Sequence, residues 1–546
     1  MYADVDDGQR VFRHRFVRDV NHYPAFVGKG PGKSPSRKDT LDIQLLMTSD
    51  RTLYVGARNR VYAINLGQSY GDEIQFSKSI TWEPNAAAKE DCRVHGRKQT
   101  ECQNFIKVIL KRKNDKLFIC GTNAFNPLCR HYKMDTLAPQ GDISSGKGRC
   151  PYDPKDSNVA LFADDNLYSA TVSDFQKTDS LIYRSLGDSP RLRTFKQNSK
   201  WLKEPSFIHA VDYQSYIYFF FEEESVEYAG LDKVMLPRVA RVCKNDMGGN
   251  AVYLENEWTS FLKARLICSV PGDSPFHFNM LRSVSDVVKL HGQDVVIAVF
   301  NTPKNSIPGS AVCAFSIQDI EKVFAGRFKE QKSPTSIWTP VPDAMVPKPR
   351  LGSCAGSELL KHYKSSHDFP DDSLEFMKKH SLMDGSVGAV SLQPLFLQTR
   401  ISDRILKIAV DNKAGPKGDQ TVVFLGSQKG WLLKILVWQG SPVFLEEMNI
   451  YNYKKCTLDV GITEQNIVDL KVDKPSETLY VAFRNCVRRV PLGSCERHGP
   501  CKKACIASRD PYCGWANEAC IHLSPGTTVE YEQDIENGKT DGLDGC

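Results

Sequence analysis

Short apolar runs alternate with turn residues along the whole chain, and one arrangement recurs. A run of β-branched and aromatic residues closes on a small residue and is often followed by a second β-rich run. It stands at Leu53-Tyr54-Val55-Gly56, Leu117-Phe118-Ile119-Cys120-Gly121, Leu167-Tyr168-Ser169-Ala170 and Ile217-Tyr218-Phe219-Phe220. It returns at Val296-Ile297-Ala298-Val299, Val423-Phe424-Leu425-Gly426 and Leu479-Tyr480-Val481-Ala482. Such runs, bounded by Gly, Asn and Asp, read as strands. Most copies lie roughly 50–80 residues apart, somewhat more than the ~40–45 of a compact propeller blade. Seven copies predict an all-β chain folded as a seven-bladed β-propeller, in which radial closure protects the sheet edges. A pair of β-sandwiches is the competing fold, but it does not call for sevenfold recurrence.

The gap between the fifth and sixth copies is far longer than the others, which predicts an insertion around residues 300–420. Inside it, 319–324 and 371–379 read as helices. Pro370 with Asp371 and Asp372 suits a helix start, and Lys378-Lys379 suits a helix end.

The 546 residues suffice for one large domain and a small one. A hydrophobic share of 41% and a charged share of 25% are ordinary for a globular protein. The net charge of +6 is too mild to indicate a general nucleic-acid binder, and it leaves room for an acidic protein partner. Cysteine changes the picture more. There are 17, mostly in close pairs, and five fall between Cys495 and Cys520. So short a stretch buries little apolar surface and needs cross-links. The expected division is therefore residues 1–493 and a disulfide-rich module at 494–546. Zinc is the competing reading, but only Cys501 and Cys505, with His498 nearby, have a suitable gap. An odd count leaves at least one thiol over. No apolar run reaches the length of a membrane span. The opening residues do not form a signal peptide, so oxidised cysteines suggest a processed or trimmed ectodomain.

Catalytic chemistry finds no foothold. His362 and His367 have the wrong spacing for two ligands on one helical turn, and no adjacent Glu completes a metalloprotease motif. Glu222-Glu223-Glu224 reads as a solvated turn after a strand. There is no phosphate-binding loop, dinucleotide fingerprint or paired-acid arrangement, so neither an enzyme nor a cofactor or small-molecule site is expected. Lys417-Gly418-Asp419 resembles an integrin-binding tripeptide, a pattern that arises readily by chance. Recognition is the better search. Residues 191–203 carry five basic residues around Phe195 and Trp201, a mixture suited to a protein interface. Trp201 itself fits either a surface or a core. Ile307 lies in the turn-like Asn305-Ser306-Ile307-Pro308, where a β-branched residue should be exposed unless the loop packs over it.

Several segments together resemble the semaphorins. They are Asp91-Cys92-Arg93 with Cys102-Gln103-Asn104-Phe105-Ile106-Lys107, the run Cys120 to Cys129, Arg149-Cys150-Pro151-Tyr152-Asp153-Pro154, Val242 to Gly249, Trp258 to Leu266, and Gly309 to Cys313. The C-terminal run Arg509-Asp510-Pro511-Tyr512-Cys513-Gly514-Trp515 resembles the plexin-semaphorin-integrin (PSI) module. Residues 199–205, 305–309, 326–334 and 532–540 are similar to class 6 of that family.

The resemblance implies an extracellular guidance ligand: the head of a single-span membrane protein that binds the sema domain of a plexin, class A expected, and clusters it as a symmetric homodimer. A sema-domain receptor head is the alternative. It implies the pairs Cys92–Cys102, Cys120–Cys129, Cys243–Cys354, Cys268–Cys313, Cys456–Cys486, Cys495–Cys513, Cys501–Cys546 and Cys505–Cys520, with Cys150 left free. Carried across residue by residue, the plexin contacts are Lys196, Gln197, Lys200, Lys378 and Lys379, and the dimer contact is Ile307. Three departures stand out. No Asn-x-Ser/Thr acceptor occurs anywhere, and Ile267 and Asp419 stand where class 6 members commonly carry Asn. Leu351 and Ser353 replace residues usually Pro and Cys. Glu222 replaces a basic residue, which would matter if the strand end reached an interface.

Overall fold

The computed structural model describes residues 22–30, 40–68, 71–228, 233–333, 335–399, 403–438, 441–457 and 464–543. Seven antiparallel sheets form the blades of a propeller, and each of the seven recurrent runs is the second strand of its blade. These strands are Thr52–Gly56, Lys116–Gly121, Asn166–Val172, Tyr216–Glu224, Gln293–Asn301, Gln420–Ser427 and Thr478–Ala482. They are almost wholly buried because neighbouring blades cover both faces, which explains why the runs are continuously apolar and not alternating. Blade 2 shows the plain form, with Ile106–Arg112, Lys116–Gly121, Leu128–Lys133 and Pro139–Ser145 hydrogen-bonded in chain order. Blade 7 closes the ring. Ala25–Phe26, near the start of the chain, pairs antiparallel with Val487–Pro491 from near its end.

The insertion lies inside blade 5, between strands Ser310–Ser316 and Phe396–Gln398. Helix α1 (Ala86–Val94) precedes blade 2, and the insertion contributes α2 (Ile317–Ala325) and α3 (Asp371–Lys379). In α3, Pro370 is the N-cap, Asp371 and Asp372 sit in the first turn and Lys378 and Lys379 in the last, each on the side the helix dipole favours. One element was not expected. Strand Leu382–Gly388 leaves blade 5 and adds in parallel to Leu262–Ile267 of blade 4. Cys243, on the third strand of blade 4, bonds Cys354 of the insertion, so this disulfide ties the insertion to blade 4.

The other described disulfides are Cys92–Cys102, Cys120–Cys129, Cys268–Cys313, Cys456–Cys486, Cys495–Cys513 and Cys505–Cys520. Cys501–Cys546 lies outside the described residues. Cys150 is a buried free thiol whose pKa burial pushes well up, so it stays protonated.

The small C-terminal module packs beneath blades 6 and 7 through buried charge. Asp510 accepts from Lys434 Nζ of blade 6 at 2.7 Å and lies 2.9 Å from His498 Nε2. Burial alone would raise its carboxyl, but the Lys434 charge and the His498 contact hold it far below the usual carboxylate range. Tyr512 donates to Asp411 of blade 6 at 2.5 Å, and Lys474 of blade 7 donates to the same carboxylate at 2.6 Å. His498, Asp510 and Cys513 converge as a metal site would require. The Cys513 sulfur, however, is bonded to Cys495 and offers no thiolate.

Asp510→Asn would leave Lys434 buried beside a neutral amide. The expected loss is about 3 kcal/mol, because Lys434 keeps only the longer 3.7 Å pairing with Glu446 in a dry site. Equilibrium denaturation measures it, and an unchanged midpoint would refute the clamp.

Candidate interaction surfaces

Two segments far apart in sequence meet on one side of blade 4. Residues 194–205 link blade 3 to blade 4, and α3 packs against them because the parallel strand 382–388 returns the insertion to this edge. Trp201 is the pin. It is 1% exposed, stacks on Phe261 at 4.9 Å, and donates its indole N–H to the Lys378 carbonyl at 3.0 Å. Its place is therefore in the core, where it fastens the loop to the end of α3. Ser381 Oγ adds a hydrogen bond to the Lys200 carbonyl at 3.1 Å.

Over this pin lies a shallow groove of about 460 Å³ bordered by Phe195, Gln197, Lys200, Tyr253, Lys378 and Lys379. Lys378 Nζ stands 4.8 Å from the centre of the Phe195 ring, and Lys200 Nζ stands 5.8 Å from that of Trp338. Gln197 holds a left-handed backbone (φ 50°), which exposes its side chain at the loop tip beside exposed Lys196. Lys379 pairs with Glu375 one turn back at 2.6 Å. Among the described residues, Lys196, Lys200 and Lys378 make no direct salt bridge. The groove thus presents ammonium groups set over aromatic rings, with Glu375 on the same border as the acidic side chain that pairs with Lys379. The aromatic partners Phe195 and Trp338 were not assigned from sequence. The interleaving of basic and aromatic residues in 191–203 carried the signal for Phe195, while Trp338 comes from the insertion and carried none.

Glu222-Glu223-Glu224 is corrected by the structure. The three residues complete strand Tyr216–Glu224, and the first two are buried. Glu223 accepts from Arg238 Nε at 2.9 Å, Lys263 Nζ at 2.6 Å and the Lys203 backbone N–H at 3.2 Å. It ties loop 194–205 to the blade interior. Arg238 Nη2 also donates to both oxygens of Glu227 at 2.7 Å. Burial alone would raise the Glu227 carboxyl, but the Arg238 charge and hydrogen bonds, with Ser225 Oγ, bring it down to about 2. Glu222 points between blades 4 and 5 with Arg282 Nη1 at 3.7 Å, and burial raises its carboxyl. It therefore lies away from the groove.

The second expected site lies on the loop joining the second and third strands of blade 5. Ile307 is 73% exposed there. His367 lies elsewhere, with Nδ1 2.8 Å from the Gly249 carbonyl in the insertion's packing, and His362 is exposed.

Comparison with known proteins agrees with this architecture. The Sema domain family matches residues 281–462 and the Plexin repeat family matches residues 494–546. A solved structure of Drosophila Semaphorin 1b, extracellular domains 1-2, superposes with a TM-score of 0.80 at 32% identity, covering 94% of this chain and 96% of that one. The chain belongs to the semaphorin family. Its class is 6: it is 58% identical over 535 residues to Semaphorin-6A of Mus musculus and 51% identical over 539 residues to Semaphorin-6B of Homo sapiens. Each alignment covers 96% of this chain and, respectively, 52% and 60% of the relative, so this semaphorin spans little more than half of the curated proteins it matches. It is also similar to the solved complex of Drosophila Plexin A with Semaphorin 1b, with a TM-score of 0.79 at 32% identity over 94% of this chain and 96% of that one.

The Glu227–Arg238 pair gives a pH signature. A carboxyl whose pKa falls on folding stabilises the fold above its ordinary value and loses that contribution as pH drops through its folded value. The contribution is intact above about pH 4.5 and fades toward about pH 2. Across that window the thermal midpoint of the wild type should fall more steeply than that of Glu227→Gln. Parallel acid limbs would refute the assignment.

Proposed function

We propose that this semaphorin is an extracellular signalling ligand that binds the sema domain of a class A plexin through the Lys196–Lys200 loop and the end of α3, and that clusters the receptor as a symmetric dimer through Ile307. One observation carries the reading. Lys200 and Lys378 stand 178 positions apart in the sequence yet border one groove, each half-buried over an aromatic ring. Such a surface suits an acidic partner: the charges speed encounter, and the rings lower the entropy cost of ordering the side chains. The Drosophila relative solved with a plexin supports the choice of partner. The ligand performs no chemistry and needs no cofactor; its signal is the distance and orientation it imposes on two receptors.

We place the propeller in residues 1–493 and the PSI module in 494–546. The propeller carries recognition and the module carries support. Abundant disulfides fit the cell exterior. No helix among the described residues is long and apolar enough to cross a membrane.

Lys378→Glu should weaken binding to a plexin A ectodomain by at least about tenfold, as expected for like charges brought together at an interface. Its circular dichroism should match the wild type and its melting temperature should fall only slightly, because Trp201 bonds the backbone of residue 378 while the helix end and Phe195 lose a cation. The wild-type on-rate should fall as salt rises from about 50 to 500 mM. Binding by Lys378→Glu at wild-type affinity would remove the site, and wild-type failure to bind any class A plexin would remove the function.

A further inference from the structure

Lys417-Gly418-Asp419 means little as a tripeptide, since three residues recur by chance, but the fold presents it in a particular way. It lies at the tip of the hairpin joining the first two strands of blade 6, Ile405–Ala414 and Gln420–Ser427, whose last paired residues are Ala414 and Gln420. Lys417 and Asp419 are exposed, with Gly418 half-buried between them. Neither charged side chain forms a salt bridge among the described residues. The Asp419 carboxylate accepts from Gln420 Nε2 at 2.9 Å, and no other hydrogen bond reaches it among those residues. A cation and an anion thus stand free on one turn, separated by a single glycine.

The tip is held in one shape. Gly418 N–H donates to the Gly415 carbonyl at 3.1 Å, which closes a four-residue turn over Pro416 and Lys417. Gly418 takes φ 63°, a left-handed conformation that glycine adopts at no steric cost. The base of the turn is pinned from two sides. Lys474 Nζ of blade 7 donates to the Lys413 carbonyl at 2.8 Å. Gly415 lies so close to the PSI module that a Cβ there would stand 2.9 Å from the Pro511 carbonyl oxygen. A loop ordered beforehand loses little entropy on docking.

The surroundings indicate what the carboxylate is for. Asp419 borders a cleft of about 580 Å³ between blades 5 and 6, together with Lys289, His291 and Lys413. Among the described residues lining the cleft, it is the only carboxylate. Calcium takes about six to eight oxygen ligands and magnesium about six, so one carboxylate holds neither ion by itself. It can, however, fill the open position of an ion that another protein already holds. We propose that this hairpin is a docking site for an adhesion receptor of the integrin type, in which Asp419 gives a carboxylate oxygen to a divalent cation held by the receptor while Lys417 enters an acidic pocket beside that ion. The hairpin belongs to blade 6 and shares no residue with the groove on blade 4, so this site stands or falls separately from the plexin reading.

Surface plasmon resonance of the whole chain against purified integrin ectodomains that recognise Arg-Gly-Asp tests it. Binding is expected in manganese buffer. It should vanish in EDTA and be displaced by a cyclic Arg-Gly-Asp peptide. Asp419→Ala should abolish it, and Lys417→Ala should weaken it by at least about tenfold, as for truncating one partner of a charge pair. Both variants should melt with the wild type, because both side chains are exposed at the tip. Binding that survives EDTA, an Asp419→Ala variant that binds like the wild type, or failure of every such integrin to bind would each overturn the proposal.

Discussion

The groove between loop 194–205 and α3 depends on one strand that changes blades. Leu382–Gly388 belongs by sequence to the insertion in blade 5 yet adds to the outer edge of blade 4. Its backbone hydrogen bonds satisfy an edge that would otherwise stand open, and they fix where the preceding helix ends. With that end placed, the carbonyl of Lys378 meets the indole of Trp201, and the loop 194–205 is drawn against α3. Without the added strand, the lysines of the two segments would have no reason to share a groove.

Charge in the interior works alongside this strand. Blade strands are covered on both faces, so a carboxylate such as Glu223 reaches no bulk water and is tolerated only with partners on every side. Arg238, Lys263 and the Lys203 amide supply them. Removing one member of such a set would cost several kcal/mol, whereas an apolar replacement of the whole could be neutral. The charges serve geometry more than stability. A buried carboxylate accepting from a loop amide fixes the loop's height above the blade, which greasy contacts alone leave loosely specified.

Much of this was legible in the sequence. The apolar runs marked one strand in every blade because burial on both faces leaves an uninterrupted signature. Both insertion helices were visible, the second from its charged ends, and the module announced itself by cysteine spacing. Other features could not be read. Strand 382–388 carries two glycines and an aspartate and has no clear period, since its pairing is decided by the edge it meets. Glu222-Glu223-Glu224 looked solvated because a charge run usually is, and only Arg238 and Lys263, isolated basic residues within apolar strands, hinted at partners. The basic residues of the groove were visible individually, but their union is a property of the three-dimensional path.

The closure of the ring bears on mechanics. The seam of blade 7 is only two residues long on its N-terminal side, Ala25–Phe26, and such a short pairing would open readily if pulled from one end. The PSI module follows blade 7 directly, yet it does not hang from that seam alone. It grips blade 6 through Lys434 and Asp411, and Arg497 donates to the hydroxyl of Tyr23, just ahead of the closing strand, at 2.7 Å. Tension entering through the module is thus shared between two blades and the N-terminal segment. The module acts as a clasp across this two-residue join of the propeller, so load entering from the C-terminal side need not unwind the ring.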